Sequence, residues 1–423
     1  MWPARHDPDP PRRTVRRLEK PDNSQGSDIV AWILVLCGSL GATVLLAIMW
    51  LFLMRTFPKD CIMAALVAQI TLCGMMTMVC FAFNALLAGV LFMMLTCLLC
   101  MYLYGVRNCI PFAASMLSIV GSVMKTYPQC YWLAIVSLVP QLIVWGLFIF
   151  SAVVLCYGIK QKDSTEQTGV KLTIFFLAFC TFWASQVIRN VVHTTVGGVT
   201  ATWYFLVGPD DAGPPSPLGR SLKRAMTTSF GSICLGSLLV SLIQTLRFMV
   251  RSQDDSFCAI CVDCCLSCIE GALEFMNKYA FTYIAIYGGN FCDGGQAAWG
   301  LLKERGFDLI INDDLTETVF VTAALFTAIL VGCVTGLVAL IFKIKGGGYL
   351  ALLGALLGFV LCSLTLSVMD SGVATLFICF AEDPGQLEAA RPELHSQLRE
   401  AWVVRYGVED FDVRMRGAAN VRR

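Results

Sequence analysis

Five residues of one apolar segment are spaced to do chemistry together. Trp183, Gln186, Asn190, His193 and Gly197 follow one another at steps of three, four, three and four, which sets all five on one stripe of an α-helix. The stripe offers an aromatic face, two carboxamides and an imidazole, without a full charge. Polar groups in such a segment cannot be turned to lipid cheaply, so they either bond to neighbouring helices or line a wet path. Trp203, Tyr204 and Phe205 follow closely, and Trp132, Trp145 and Phe148 lie on the apolar segment before.

If the stripe lines a path, the solute that suits it is a poorly hydrated cation. Quaternary ammonium fits, because each aromatic face attracts it by about 0.5 to 2 kcal/mol. On this reading Trp145 and Trp183 enclose the ammonium group, Gln186 and Asn190 orient or gate it, His193 shares their face, and Trp203 with Tyr204 closes one end. Asp370, Glu270 and Glu274 are the acids available to balance its charge. No cofactor or metal is expected. Only His6, His193 and His395 exist, too few for His-rich di-iron or bis-haem sites, and no GxxxxGK[ST] loop is present to hold a nucleotide.

The densest nucleophile cluster is Cys258, Cys261, Cys264, Cys265 and Cys268. Five thiols around one short helix do not make a tetrahedral zinc set on facing turns. Helix packing is the leading reading, with lipidation of a membrane-proximal thiol and metal or redox chemistry behind it.

The elements that must position these groups are membrane helices. The 423 residues are 57% hydrophobic and only 14% charged, against roughly 25% charged in soluble domains, so the chain cannot cover itself with polar surface. With 31 Lys and Arg against 30 Asp and Glu the net charge is +1, which leaves no basic field for nucleic acid. A span needs about 20 apolar residues. Residues Ile29 to Met54, Cys61 to Phe83, Ala85 to Tyr104, Tyr131 to Tyr157, Leu172 to Val192, Met226 to Val250, Val319 to Phe342 and Tyr349 to Phe380 qualify. Ile110 to Met124 is marginal, and Phe257 to Tyr287 carries Asp263, Glu270, Glu274, Asn277 and Lys278.

Counting both weak segments gives about ten transmembrane helices over 29–381, with a disordered cytosolic tail at 1–28 and a cytosolic tail at 382–423. Arg12, Arg13, Arg16, Arg17 and Lys20 place the start of the chain inside, as do Arg220, Lys223 and Arg224 for their loop; Lys160, Lys162 and Lys171 disagree. The Gly-containing piece after Val192 is expected to bend or re-enter before Val207. Gly332 with Gly336 and Gly354 with Gly358 are two GxxxG pairs, read as contacts within the bundle, and Gly346 to Gly348 as a tight turn.

Three blocks resemble the choline transporter-like family, and in particular its fungal and protist members: WASQVIRNVVHTTVGGVTATWYF from Trp183 to Phe205, MNKYAFTYIAIYGGNFC from Met276 to Cys292 after the Cys-rich stretch, and MDSGVATLFICFAED from Met369 to Asp383. Their order and spacing agree over about Leu133 to Asp383. The resemblance implies a ten-span carrier of the plasma membrane, or of an organelle, that moves choline or related cationic amines without ATP and is not an enzyme. Two other classes compete. One is a membrane-embedded acyltransferase built on Asn190 and His193. The other is a non-transporting scaffold whose hydrophilic C-terminal segment, with Trp402 and Tyr406 on a solvated helix, binds partners.

Overall fold

Hydrocarbon supplies no water to the backbone, so long apolar segments satisfy their N–H and C=O groups as helices. The computed structural model describes residues 23–159, 164–206, 216–253, 257–344 and 346–406, all of whose regular structure is helical. Most of the expected N-terminal tail, and Lys160 and Lys162, lie outside the described residues. In chain order the helices are α1 (Asn23–Thr56), α2 (Pro58–Ala82), α3 (Leu86–Val106), α4 (Ile110–Thr126), α5 (Gln129–Val136), α6 (Leu138–Ile159) and α7 (Ser164–Leu206). They continue as α8 (Pro217–Met226), α9 (Phe230–Gln253), α10 (Phe257–Tyr287), α11 (Phe291–Ile341), α12 (Gly347–Glu382), α13 (Pro384–Ala390) and α14 (Pro392–Tyr406).

Eight stretches among the described residues are long and apolar enough to cross a bilayer: α1, α2, α3, α5 with α6, α7, α9, α11 and α12. The protein is an all-α polytopic membrane bundle. The two weak segments resolve differently. α10 is a 31-residue helix packed along α7, α9 and α11, and its charges keep it out of those eight. α4 has 17 residues, about 26 Å of helix, short of the roughly 30 Å hydrocarbon core.

Contacts along α4 show its course. Phe112 meets Phe377, Phe380 and Trp402 near the end of α12, Val120 and Met124 press on Gly372, and the Tyr131 hydroxyl reaches Met369 Sδ at 3.5 Å. After Tyr127 and Pro128, α5 and α6 carry on in the same direction, antiparallel to α12, until Trp145 packs on Phe182. α4 to α6 are therefore one broken crossing. α1 confirms the parity: Trp32 packs on Gly346 and Trp50 Nε1 donates to Thr327 Oγ1 at 3.1 Å, so α1 runs against α11 and parallel with α12. The proximal end of the bundle is where α1 begins, and the distal end is where α12 finishes. Within the described residues, the start of α1 and the finish of α12 thus lie at opposite ends of the bundle. Basic residues border both ends, with Arg220, Lys223 and Arg224 at the distal one and Arg251 and Lys343 at the proximal one, so charge bias alone sets no side.

Two further expectations change. No break or re-entry follows Val192, because α7 is one continuous 43-residue helix. Gly197 and Gly198 lie against Thr375, Ala285 and Ser221, and neighbours on both sides hold the helix where the glycines alone would loosen it. α14 is solvated on one face only: Leu398, Ala401 and Trp402 are buried on the other, with the Trp402 ring edge-on to Phe112 at 5.4 Å. The GxxxG pairs do work within the bundle. A Cβ on Gly332 would fall 2.8 Å from Ala355 Cβ, and one on Gly354 2.5 Å from Thr335 Oγ1, so α11 and α12 touch backbone to backbone. Gly346 turns between them at φ +79°.

Candidate functional site

α7 runs through the middle of the bundle, and its polar stripe fills the seams with α9, α10 and α12. Trp183 Nε1 donates to the Cys234 carbonyl at 3.0 Å, Asn190 Nδ2 to Ser237 Oγ at 2.9 Å, and Gln186 Nε2 to Glu274 Oε1 at 3.2 Å. His193 bridges two helices, with Nδ1 2.9 Å from Ser371 Oγ on α12 and Nε2 3.0 Å from the Lys278 carbonyl on α10. A carbonyl only accepts, so Nε2 carries a proton and Nδ1 of the neutral ring is the acceptor that faces Ser371, whose hydroxyl also donates to the Ser367 carbonyl at 2.9 Å.

Three of the expected site residues meet in one cavity. Trp145, Gln186 and His193 line a space of about 530 Å³ bounded by α5, α6, α7, α9, α10 and α12, a size that suits a small organic ligand. Phe182 and Phe248 extend the aromatic wall and Gln141 and Gln244 the carboxamide one, while Leu138, Val192 and Leu364 are apolar. Trp183 and Asn190 lie behind this wall, where they tie α7 to α9. Trp203 and Tyr204 lie further along, near the distal end. Tyr204 donates to the Asp383 carbonyl at 2.8 Å, and the Arg391 guanidinium stacks on Trp203 at 4.0 Å, so both anchor the start of the C-terminal helices.

Asp370 is also outside the cavity. Its Oδ1 lies 2.7 Å from Lys278 Nζ, which is 2.5 Å from Asp313 Oδ1, and the Tyr279 hydroxyl donates to Asp313 at 3.2 Å. This triad joins α10, α11 and α12, and the Lys278 carbonyl links it to His193.

Sequence reasoning missed the charge lattice on the cavity wall. Arg189 pairs with Glu274 at 2.9 Å, Arg247 with Asp263 at 3.0 Å and with Glu270, and Arg251 with Asp263 at 2.8 Å. Gln244 Nε2 donates to Glu270 Oε1 at 2.9 Å. The lattice holds as many acids as arginines and sums to zero. Its signal was present: Asp263, Glu270 and Glu274 share one face of α10 at steps of seven and four, while Gln244, Arg247 and Arg251 share one face of α9 at steps of three and four. Cys261, Cys264, Cys265 and Cys268 occupy the opposite, exposed face of α10. Helix packing is therefore not their role, because the charges claim the inward face. The side chain of Cys258 is outside the described residues.

Comparison with known proteins adds a second line of evidence. A family model described as plasma-membrane choline transporter matches residues 90–385. A CTL-like protein of Dictyostelium discoideum is 33% identical over 326 residues, covering 74% of this chain and 57% of that protein. Protein PNS1 of Eremothecium gossypii is 33% identical over 417 residues, 90% of this chain and 74% of that one. Protein PNS1 of Saccharomyces cerevisiae is 29% identical over 387 residues, 84% and 71% of the two chains. The chain thus spans little more than half the length of the Dictyostelium relative.

Proposed function

Since this chain belongs to the choline transporter-like family, we propose that it is a facilitated carrier of choline or a related cationic amine in the plasma membrane, and not an enzyme. The central cavity is the observation that supports this reading. Trp145, Phe182 and Phe248 give a quaternary ammonium group three aromatic faces, and the Gln141 and Gln244 carbonyl oxygens can turn toward its hydroxyl or amine, while Gln186 is held in the wall by Arg189 and Glu274. The charge lattice leaves no free carboxylate to trap the cation. A site of this kind binds weakly enough to release its solute, as a carrier must.

Within this mechanism Trp145 encloses the ammonium group and Gln186 orients it. Trp183 and Asn190 position the wall from behind, Tyr204 and Trp203 hold the distal closure, and Asp370 holds Lys278 in place. The test is radiolabelled choline uptake into proteoliposomes of purified protein. Losing one cation–π face through Trp145→Ala raises the half-saturation concentration about 2- to 30-fold, from about 0.5 to 2 kcal/mol. Absence of uptake above protein-free liposomes would refute the carrier. Unchanged kinetics in Trp145→Ala and in Gln186→Ala would remove this cavity from the path.

A further inference from the structure

α8 carries its cations on one side. Arg220, Lys223 and Arg224 share one face of this short helix, while Ser221 and Ala225 point inward and are buried. The helix seats on α7 at Gly198, where an added Cβ would lie 2.7 Å from Ser221 Oγ and 3.2 Å from Arg224 Nη2. That close approach lets Arg224 donate across to the Ala285 carbonyl of α10. Between the two helices is a pocket of about 290 Å³, lined by Thr202, Leu206, Pro217, Arg220, Ser221 and Arg224.

The charge here is unmatched. The arginines of the central cavity and Lys278 all have carboxylates beside them. Among the described residues no ion pair engages Arg220, Lys223 or Arg224. Burial lowers the Arg224 guanidinium from its ordinary value, and no acid opposes that shift. Exposed apolar side chains accompany the site: Leu206, in its lining, is 64% exposed, and Met226 and Phe230, which follow Arg224 in the chain, are exposed too. A short helix with a basic face and an apolar rim, at the end of a membrane bundle, belongs in the interface plane.

We propose that this pocket binds the phosphate of an anionic phospholipid headgroup, with Arg220 and Arg224 on the phosphate oxygens and the acyl chains leaving over Leu206, Met226 and Phe230. Guanidinium forks match phosphate oxygens in pairs, and Lys223 adds attraction to an anionic leaflet. The apolar rim favours a lipid over a free anion, since a soluble phosphate would gain nothing from it.

The experiment is native mass spectrometry of the full-length protein in micelles containing equal phosphatidylglycerol and phosphatidylcholine. The wild type retains phosphatidylglycerol preferentially. Arg220→Gln with Lys223→Gln, both exposed and outside the fold's contacts, cuts that preference by roughly fivefold for each charge removed, while Arg220→Lys keeps most of it. Unchanged preference in the double variant overturns the proposal. Displacement of the lipid by millimolar inorganic phosphate reassigns the pocket to a free anion and overturns it as well.

Discussion

Replacing Lys278 with Met removes the cation held between a buried carboxylate, Asp313, and a half-buried one, Asp370. Its Nζ lies 2.5 Å from Asp313 Oδ1 and 2.7 Å from Asp370 Oδ1, so those oxygens are no more than about 5 Å apart. Two unit charges at that distance repel by about 3 kcal/mol at an effective dielectric constant near 20. Breaking a buried pair by removing one partner costs about 3 to 5 kcal/mol for the same reason, since the remaining charge has neither water nor a counter-ion. With an unfolding entropy of about 2.1 cal/mol/K per residue, a chain of 423 residues loses about 1 °C of Tm per kcal/mol, so the lower figure gives a fall of about 3 °C. Thermal unfolding of detergent-solubilised protein, followed by intrinsic fluorescence, measures it. The reasoning also requires rescue. Asp313→Asn and Asp370→Asn, added to Lys278→Met, remove the repelling charges and restore most of the loss. A Tm within 2 °C of wild type for Lys278→Met, or a triple variant no more stable than the single one, would refute the account.

Three other outcomes follow from particular contacts. Gly332→Val drives a side chain into Ala355 and the Ala351 carbonyl and costs at least the 1 to 3 kcal/mol typical of overpacking, whereas Gly38→Ala, with nothing within 4 Å, leaves Tm nearly unchanged; similar Tm values for both would deny the α11–α12 contact. Asn190→Ala and Ser237→Ala each destabilise, and a double-mutant cycle between them returns a coupling of about 1 kcal/mol; zero coupling would mean that their hydrogen bond does not tie α7 to α9. His395 on α14 is buried, which pulls its imidazole below the ordinary value, with Glu388 opposing and Arg399 adding to the shift. The unfolded state therefore binds its proton first on acidification, so this contribution is present above about pH 6.5 and is lost as pH falls through the folded-state value. Hydrogen exchange in α14 should rise over that range in wild type and stay flat in His395→Gln.

Much of the site was legible because helical periodicity survives in any environment. The three-and-four spacing from Trp183 to Gly197 put that face inward, and the structure places it in the seams of α9, α10 and α12. The spacing did not say which members would bond to neighbours and which would face space. Asn190 and Trp183 spend their donors on α9, while Gln186 and Trp145 reach the cavity, and that division depends on where α6 and α9 lie around α7. The charged faces of α9 and α10 carry the same kind of spacing signal. It was passed over because isolated acids in a weak span look interfacial until the arginines of the next helix are seen to match them.

Composition and hydropathy by themselves determined that this chain is an all-α membrane bundle, since 57% hydrophobic residues in long runs have no other way to satisfy their backbone in lipid. They also determined that the two GxxxG pairs sit at a close helix contact, because small residues matter only where backbones approach. Only the tertiary structure decided the parity of the crossings. Whether the 17 residues of α4 reverse the chain or lead into α5 is set by Phe112 meeting Phe377 and Trp402 and by Tyr131 meeting Met369, contacts between residues more than 200 positions apart. The same holds for α7. Its glycines permit a break, and the helix stays continuous with side chains from α8, α10 and α12 packed against them, a cooperative constraint that no local window of sequence contains.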